Sequence, residues 1–537
     1  MHRFGDRMPH FPVLTRFPTE GIPMTQSSRL RLVIATATAI LMTAACSSSV
    51  KTATVATTTA GAPATTAPAP TVAPTTAAPA TTVAPTTAAP ATTAATTTTT
   101  AVTATVPAPV ATTCPDGYPA GVTCATVTVP VDPTKPTGPT LDIAVTVRRA
   151  KPDTWTSPIA LIQSFAEPKF FAPERFTGHD VIALDARGVG RTGPNTDCPE
   201  LKDYTAEINT RNLQPSGVAA IKACIAKLAT AQVSLAAVID NAARATDTAT
   251  VRRSLGIDKW AIFTARGSAD AVMYLLATDA KAITSVFAYT PYTVGAGITP
   301  NNAKDAFDRF ATDCAGIPAC TAKGDMQAHL ATLMALPPVT TKTLETATGW
   351  PIVLDAVTAR SGITGALSRS SLAAILPGLL GGEASGAANE LIAGFYNSTP
   401  APTDARSFAM LCQNLGFSEV PLNGGNDDHA GPFKGDSAKR MCDAIGPQPQ
   451  MPAPPKSTGS IPVLVIVPSY ESQGSEAGAR AIFSGYPNLN VAVVPGNPND
   501  LPEFLPCYVK TINTFFDAPT VKLDTTCLTS RDWVKFA

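Results

Sequence analysis

From residue 114 onward, short apolar runs alternate with stretches whose hydrophobic positions recur every three or four residues, the pattern of strands and helices following one another. Segments 125–130 and 141–148 read as an antiparallel pair. Segments 159–163, 180–184, 260–263, 285–289, 462–467 and 490–494 are almost wholly apolar and predict strands buried on both faces. Helical spacing falls between several of them, at 216–230, 241–255, 268–277, 476–483 and 506–516. Strands separated by helices predict a mostly parallel central sheet with helices on both faces, an α/β class. Between 291 and about 455 strands nearly vanish, and helical stretches at 302–314, 326–336, 372–380 and 386–395 are punctuated by Gly and Pro. The expected organisation is a core formed by 114–290 and 456–537, with a mainly helical cap, 291–455, inserted into it.

The N-terminal part has a different texture. Arg29 and Arg31 precede an apolar run from Leu32 to Met42 that ends in Thr43-Ala44-Ala45-Cys46. This resembles a bacterial lipoprotein signal peptide over residues 1–45, with Met24 as the start of translation and Cys46 as the acylated first residue. The run is too short to span a bilayer, although an uncleaved interfacial anchor remains an alternative. Either way the body of the protein faces outside, attached to the bacterial cell membrane. Residues 46–113 are nearly all Ala, Thr, Pro and Val, cannot bury a core, and predict a disordered, semi-rigid tether.

Of the 11 cysteines, ten remain once Cys46 is set aside, an even number suited to disulfides in an exported protein. Sequence neighbours suggest Cys114–Cys124, Cys198–Cys224, Cys314–Cys320, Cys412–Cys442 and Cys507–Cys527; spacing alone leaves the connectivity open. The cysteines lack metal-ligand spacing and the histidines are scattered, so no metal and no cofactor are implied. A net charge of zero with 15% charged residues gives no basic footprint for nucleic acid.

Four blocks occur in order: Val129-Pro130-Val131-Asp132; Asp185-Ala186-Arg187-Gly188-Val189-Gly190-Arg191-Thr192 followed by Cys198; the turn from Trp260 to Ser268; and the segment from Pro462 to Arg480. Together they resemble the secreted tripeptidyl aminopeptidase branch of the α/β-hydrolases over most of the chain from Cys114 to Cys527. The resemblance implies an α/β-hydrolase fold and a Ser-His-acid peptidase site.

The positions that would do the chemistry are substituted. Where the resemblance places a Gly-x-Ser-x-Gly elbow, the chain has Thr264-Ala265-Arg266-Gly267-Ser268. A guanidinium is permanently protonated and is no nucleophile. The acid position holds Glu471, which the chemistry tolerates, but the base position holds Asn499, whose amide has no useful proton affinity. The oxyanion glycines are replaced by Ser164-Phe165-Ala166-Glu167-Pro168, where Glu167 opposes developing negative charge. With nucleophile, base and oxyanion loop all altered, the expectation is a pseudoenzyme in which Arg266 pairs with Glu471, directly or through Asn499.

Ser268 could rescue a nucleophile, but an N-cap of the following helix is its expected role. His429, beside Asp427 and Asp428, reads as a solvated loop histidine, and His179 makes no credible dyad. Asp185 and Arg187 are expected to pin their turn. The ligand pocket would then be a capped crevice near Arg266, Ser268, Glu471, Asn499 and Phe165, open to a peptide or small molecule. An anion such as a peptide carboxylate suits it unless Glu471 already neutralises Arg266. The alternatives to a binding or scaffolding lipoprotein are an active serine hydrolase with non-standard residues and a passive surface protein with a collapsed pocket.

Overall fold

The computed structural model describes residues 106–163, 166–198, 215–230, 233–293, 302–335, 339–341 and 352–354, parts of 363–381, residues 406 and 446, then 452–472 and 474–536 apart from 499, 500 and 502. The signal segment, Cys46, most of the tether, Phe165, His429, Asn499, the pair Cys412 and Cys442, and the stretch 386–395 lie outside the described residues.

The strands are β1 Val110–Thr112, β2 Val122–Pro130, β3 Thr140–Arg148, β4 Ile159–Ile162, β5 Val181–Leu184, β6 Trp260–Ala265, β7 Ile283–Tyr289, β8 Val339–Thr341, β9 Ile352–Leu354, β10 Val463–Pro468 and β11 Leu489–Val494. Nine of them form one sheet in the order β1-β2-β3-β5-β4-β6-β7-β10-β11. The antiparallel β2–β3 pair occurs as expected, and β3 also runs antiparallel to β5. From β5 to β11 all neighbours are parallel. Strands β8 and β9 form a separate antiparallel pair.

One strand corrects the sequence reading. Val110–Thr112 falls within the stretch assigned to the disordered tether, yet it pairs with β2, Val110 opposite Thr126 and Thr112 opposite Cys124. Past Pro109 the backbone again carries donors on consecutive residues, and β-branched Val110 and Thr112 suit a pleated edge. The Cys114–Cys124 disulfide holds that edge in place.

The helices used below are α1 Pro215–Thr230, α2 Asn241–Ser254, α3 Ala269–Thr278, α4 Asn302–Ala315, α5 Met326–Met334, α6 Ser370–Leu380, α7 Glu476–Ile482 and α8 Phe504–Asp517. Helix α2 starts where the Asp240 carboxylate accepts the N–H groups of Ala242 and Ala243, and Arg252 and Arg253 stand in its last turn. The period-two alternation of the strands divides the core. Trp260 and Ile262 of β6 pack with α2, α3 and α7 on one face, while Ala261 and Phe263 pack with α8 on the other. Helices therefore cover both faces, and the wholly apolar strands of the sequence are the price of that double burial.

Residues of α4, α5 and α6 form a third hydrophobic cluster around Phe307, Phe310, Leu333 and Leu376. The bonds Cys198–Cys224, Cys314–Cys320 and Cys507–Cys527 occur as paired in the sequence reading. No helix among the described residues is long and apolar enough to cross a membrane.

Candidate functional site

Strand β6 ends at Ala265, and the chain bends through a single 3₁₀ turn, Arg266–Ser268, into α3. At the tip, Arg266 has φ +52°, in the left-handed region that disfavours residues with a Cβ. This is the strained strand-to-helix bend on which a hydrolase of this type raises its nucleophile. The tip residue of this bend is an arginine. The strand order itself, with the antiparallel strand β3 next to a parallel run whose first two members, β5 and β4, are exchanged, settles the class. The chain has the α/β-hydrolase fold.

No protein-family model matches this chain, and no curated protein does. Among solved structures it is similar to a serine hydrolase from Cycloclasticus zankles, at 12% identity over 74% of this chain and 100% of that one, with a TM-score of 0.31. It is also similar to an α/β-hydrolase fold protein from Chitinophaga pinensis, at 13% identity over 73% and 97% of the two chains, TM-score 0.29. An acetylester hydrolase from Corynebacterium glutamicum is 11% identical over 71% and 93%, TM-score 0.34.

The structure brings Arg266 and Glu471 together. Strand β10 delivers Ser469, Tyr470 and Glu471 to the same end of the sheet as the β6 bend, and Arg266 Nη2 lies 3.4 Å from Glu471 Oε2. The carboxylate is buried, its other oxygen accepting the Ser472 N–H at 3.1 Å, whereas the arginine side chain is 45% exposed. Glu471 is the main reason the Arg266 guanidinium is held above its ordinary pKa, with burial opposing. The positive charge at the tip is thus largely compensated, which removes the condition under which an anionic ligand would suit this position.

Loops after β10 and β11 are laced together: Ser469 N–H donates to Val494 O at 2.7 Å, Tyr470 N–H to Gly496 O at 3.2 Å, and Gly496 N–H to Ser469 Oγ at 2.9 Å. Asn497 is buried beside them. Asn499 and Phe165, assigned to the pocket from sequence, lie outside the described residues.

Ser268 departs from its expected role. Its side chain makes no capping bond to α3. It is buried and its Oγ accepts from Arg244 Nη2 at 3.3 Å, because Arg244 reaches up from α2 and also donates to Gln163 O. Burial, then the neighbouring Arg406 guanidinium, pull down the proton affinity of Arg244, while Asp247 and Asp270 oppose them. The group that holds this hydroxyl is a guanidinium, which cannot take its proton.

Besides Arg244, Tyr292 and Tyr118 also stand at the site without having been marked by the sequence. Tyr292, just past β7, donates its N–H to Arg266 O at 3.4 Å and lays its ring over Gly267. A Cβ on Gly267 would lie 2.8 Å from that ring and 3.3 Å from its hydroxyl oxygen. Burial raises the Tyr292 phenol pKa, and the Arg266 charge and the facing Gly267 amide oppose this. In a working hydrolase the amide after the nucleophile helps hold the oxyanion, with a second amide from the loop after the early strand. Here the tyrosine hydroxyl fills the space before the first. On the other loop the Ala166 N–H is committed to Asp185 Oδ1 at 2.7 Å, and Tyr118 donates to Ala166 O at 2.8 Å. Glu167 is paired with the largely exposed Lys169.

Asp185 and Arg187 pin the turn after β5. Asp185 accepts from the Arg191 N–H at 2.9 Å and from Arg191 Nε at 3.2 Å. Gly190, at φ +60°, passes so close that a Cβ would sit 2.6 Å from Asp185 Oδ2. A small pocket of about 10 Å³, the lower limit for one water, lies among Asp185, Arg187, Arg244 and Asp247. His179 is buried away from the bend, its Nδ1 3.0 Å from Ser157 O. Among the described residues no group of three His, Cys, Asp or Glu side chains is placed to hold a metal ion.

Gly267→Ala should force Tyr292 aside and lower stability by about 1–3 kcal/mol, the cost of overpacking a filled site. Adding Tyr292→Ala should recover part of that loss. Thermal melts of the two variants, with Tyr292→Ala alone as reference, test the contact; equal melting of wild type and Gly267→Ala would refute it.

Proposed function

We propose that this chain is an exported, lipid-anchored protein of the bacterial cell envelope, related in its motifs to tripeptidyl aminopeptidases, that binds or scaffolds without catalysing hydrolysis. The observation that carries the proposal is the guanidinium of Arg266 on an intact left-handed elbow, paired with buried Glu471. Acyl transfer needs an attacking hydroxyl, a base and amides free to receive an oxyanion. The bend presents a cation, its one serine, Ser268, is clasped by Arg244, and the local amides face Tyr292 or Asp185. The lipid on Cys46 is the proposed membrane attachment, residues 46–109 the proposed tether, and 291–455 the proposed cap over a crevice for a peptide or small molecule. Because Glu471 compensates Arg266, that ligand need not be an anion.

Fluorophosphonate labelling of the exported domain tests inactivity. No labelling above a heat-denatured control is expected, and no turnover of tripeptide amides or short acyl esters. Robust labelling that disappears in Ser268→Ala would overturn the proposal. Peptides that raise the melting temperature in a concentration-dependent way would support binding over a passive role, since a ligand of the folded state stabilises it by mass action.

A further inference from the structure

The hydrophobic cluster built by α4, α5 and α6 has a core of its own, and the described members that come from outside 302–380 are two, Tyr470 and Phe536. Tyr470 is the residue before Glu471. Phe536 stands at the end of the chain. Both rings meet Phe310 of α4 edge-on, with centroids 5.8 Å and 5.6 Å away.

Polar contacts converge on the same point. Asp313 of α4 accepts the Tyr470 hydroxyl at 2.9 Å through one oxygen and pairs with Arg531 through the other. Arg309, one turn earlier on α4, donates to Ser469 O. Burial, and then the Asp313 carboxylate, push the Tyr470 phenol well above its ordinary pKa, so it stays a donor at any physiological pH.

The other end of the tail is fixed to the body. Trp533 donates from its indole to Cys527 O at 2.7 Å and packs its edge on Phe504 with centroids 5.2 Å apart. Cys527 is bonded to Cys507 of α8, and Lys535 Nζ lies 2.8 Å from Glu503. A short segment anchored at α8 thus reaches across to α4 and meets it beside the loop that carries Glu471.

We propose that residues 531–536 are a clasp: they hold the α4–α6 cluster against the Ser469–Glu471 loop, and releasing them lets that cluster move while the sheet stays folded. The Arg531–Asp313 pair is largely exposed on the arginine side, and exposed pairs are weak alone. The Phe536 ring and the Tyr470–Asp313 bond supply the grip. The described members of this cluster from outside 302–380 are these two rings, and the other two core clusters are built from different residues, so opening here need not disturb them. The clasp does not depend on whether the site is catalytically inactive.

Hydrogen–deuterium exchange with mass spectrometry on the full chain tests it, comparing wild type, a chain ending at Ser530, and Phe536→Ala. Both variants should speed exchange in peptides from 302–315 and 326–334 at least tenfold while 260–265 and 463–468 keep their wild-type protection. Tyr470→Phe should produce the same local pattern to a smaller extent. Unchanged exchange in 302–334 overturns the proposal. So does an equal rise in 260–265, which would make the tail a general stabiliser of the fold; Phe536→Ala keeps the test open if the truncated chain does not fold.

Discussion

Asp247→Ala is expected to lower the unfolding free energy by about 3–5 kcal/mol, the typical cost of leaving one partner of a buried ion pair alone. Arg187 and Asp247 are both nearly inaccessible to solvent and are joined twice, Nε to Oδ2 at 2.6 Å and Nη2 to Oδ1 at 2.8 Å. Arg187 also donates to Pro130 O at 2.9 Å and to Val131 O, so one guanidinium ties the end of β2 to the turn after β5 and to α2. Burial pushes the Asp247 carboxyl up, and the Arg187 contact opposes it. The double change Arg187→Met with Asp247→Leu should cost less than Asp247→Ala, because no unpaired charge remains inside. Urea titrations measure both. A loss below about 1 kcal/mol in Asp247→Ala would mean that solvent or another group already compensates the arginine.

Arg266→Ala should be destabilising by about 1–3 kcal/mol, less than for a fully buried pair because the arginine is 45% exposed. It removes the Arg266 charge from beside Glu471, which is 2% exposed, and keeps a Cβ on a left-handed backbone. Arg266→Gly also removes the charge but relieves the backbone, and should be more stable than Arg266→Ala by about 1 kcal/mol. Adding Glu471→Gln to either should recover part of the loss by removing the buried negative charge that Arg266 faced. Equal stability of the Ala and Gly variants would show that the bend stores no strain, and full additivity with Glu471→Gln would show that the pair carries no coupling.

Much of the fold was legible in the sequence. Each of the six strands read from apolar runs occurs; β4, β5 and β10 are buried throughout, because a parallel strand packed on both faces must be apolar, whereas the edge strand β11 is buried only at Ala492 and Val494. Edges were harder. Strand β1 hid in the tether because three residues with exposed side chains carry no hydrophobic pattern, and backbone pairing with β2 is what selects them. The helix over 506–516 begins two residues earlier, at Phe504, since tertiary packing of Phe504 against Tyr508 and Trp533 extends it.

The site was legible only in part. The bend and its Arg266 came from motif position, and so did the partnership with Glu471. Tyr292 did not, since a tyrosine after a strand has no spacing that marks it. For Arg244 a signal existed: Asn241, Arg244, Asp247 and Thr248 fall at helical spacing on one face of α2, and all four are buried. A polar stripe on the inward face of a helix marks an internal charge network, and that network is what occupies Ser268.

By itself the sequence determined the alternation of strands and helices, and hence the α/β class, because side-chain periodicity reports directly which faces are buried. It also determined that a permanent cation stands at position 266, since that depends on residue type alone. Only the tertiary structure decided how that cation is compensated, which amides remain available, and which chain end grips α4. Those outcomes depend on contacts between residues up to 218 positions apart, as between Asp313 and Arg531, and no local pattern encodes such distances.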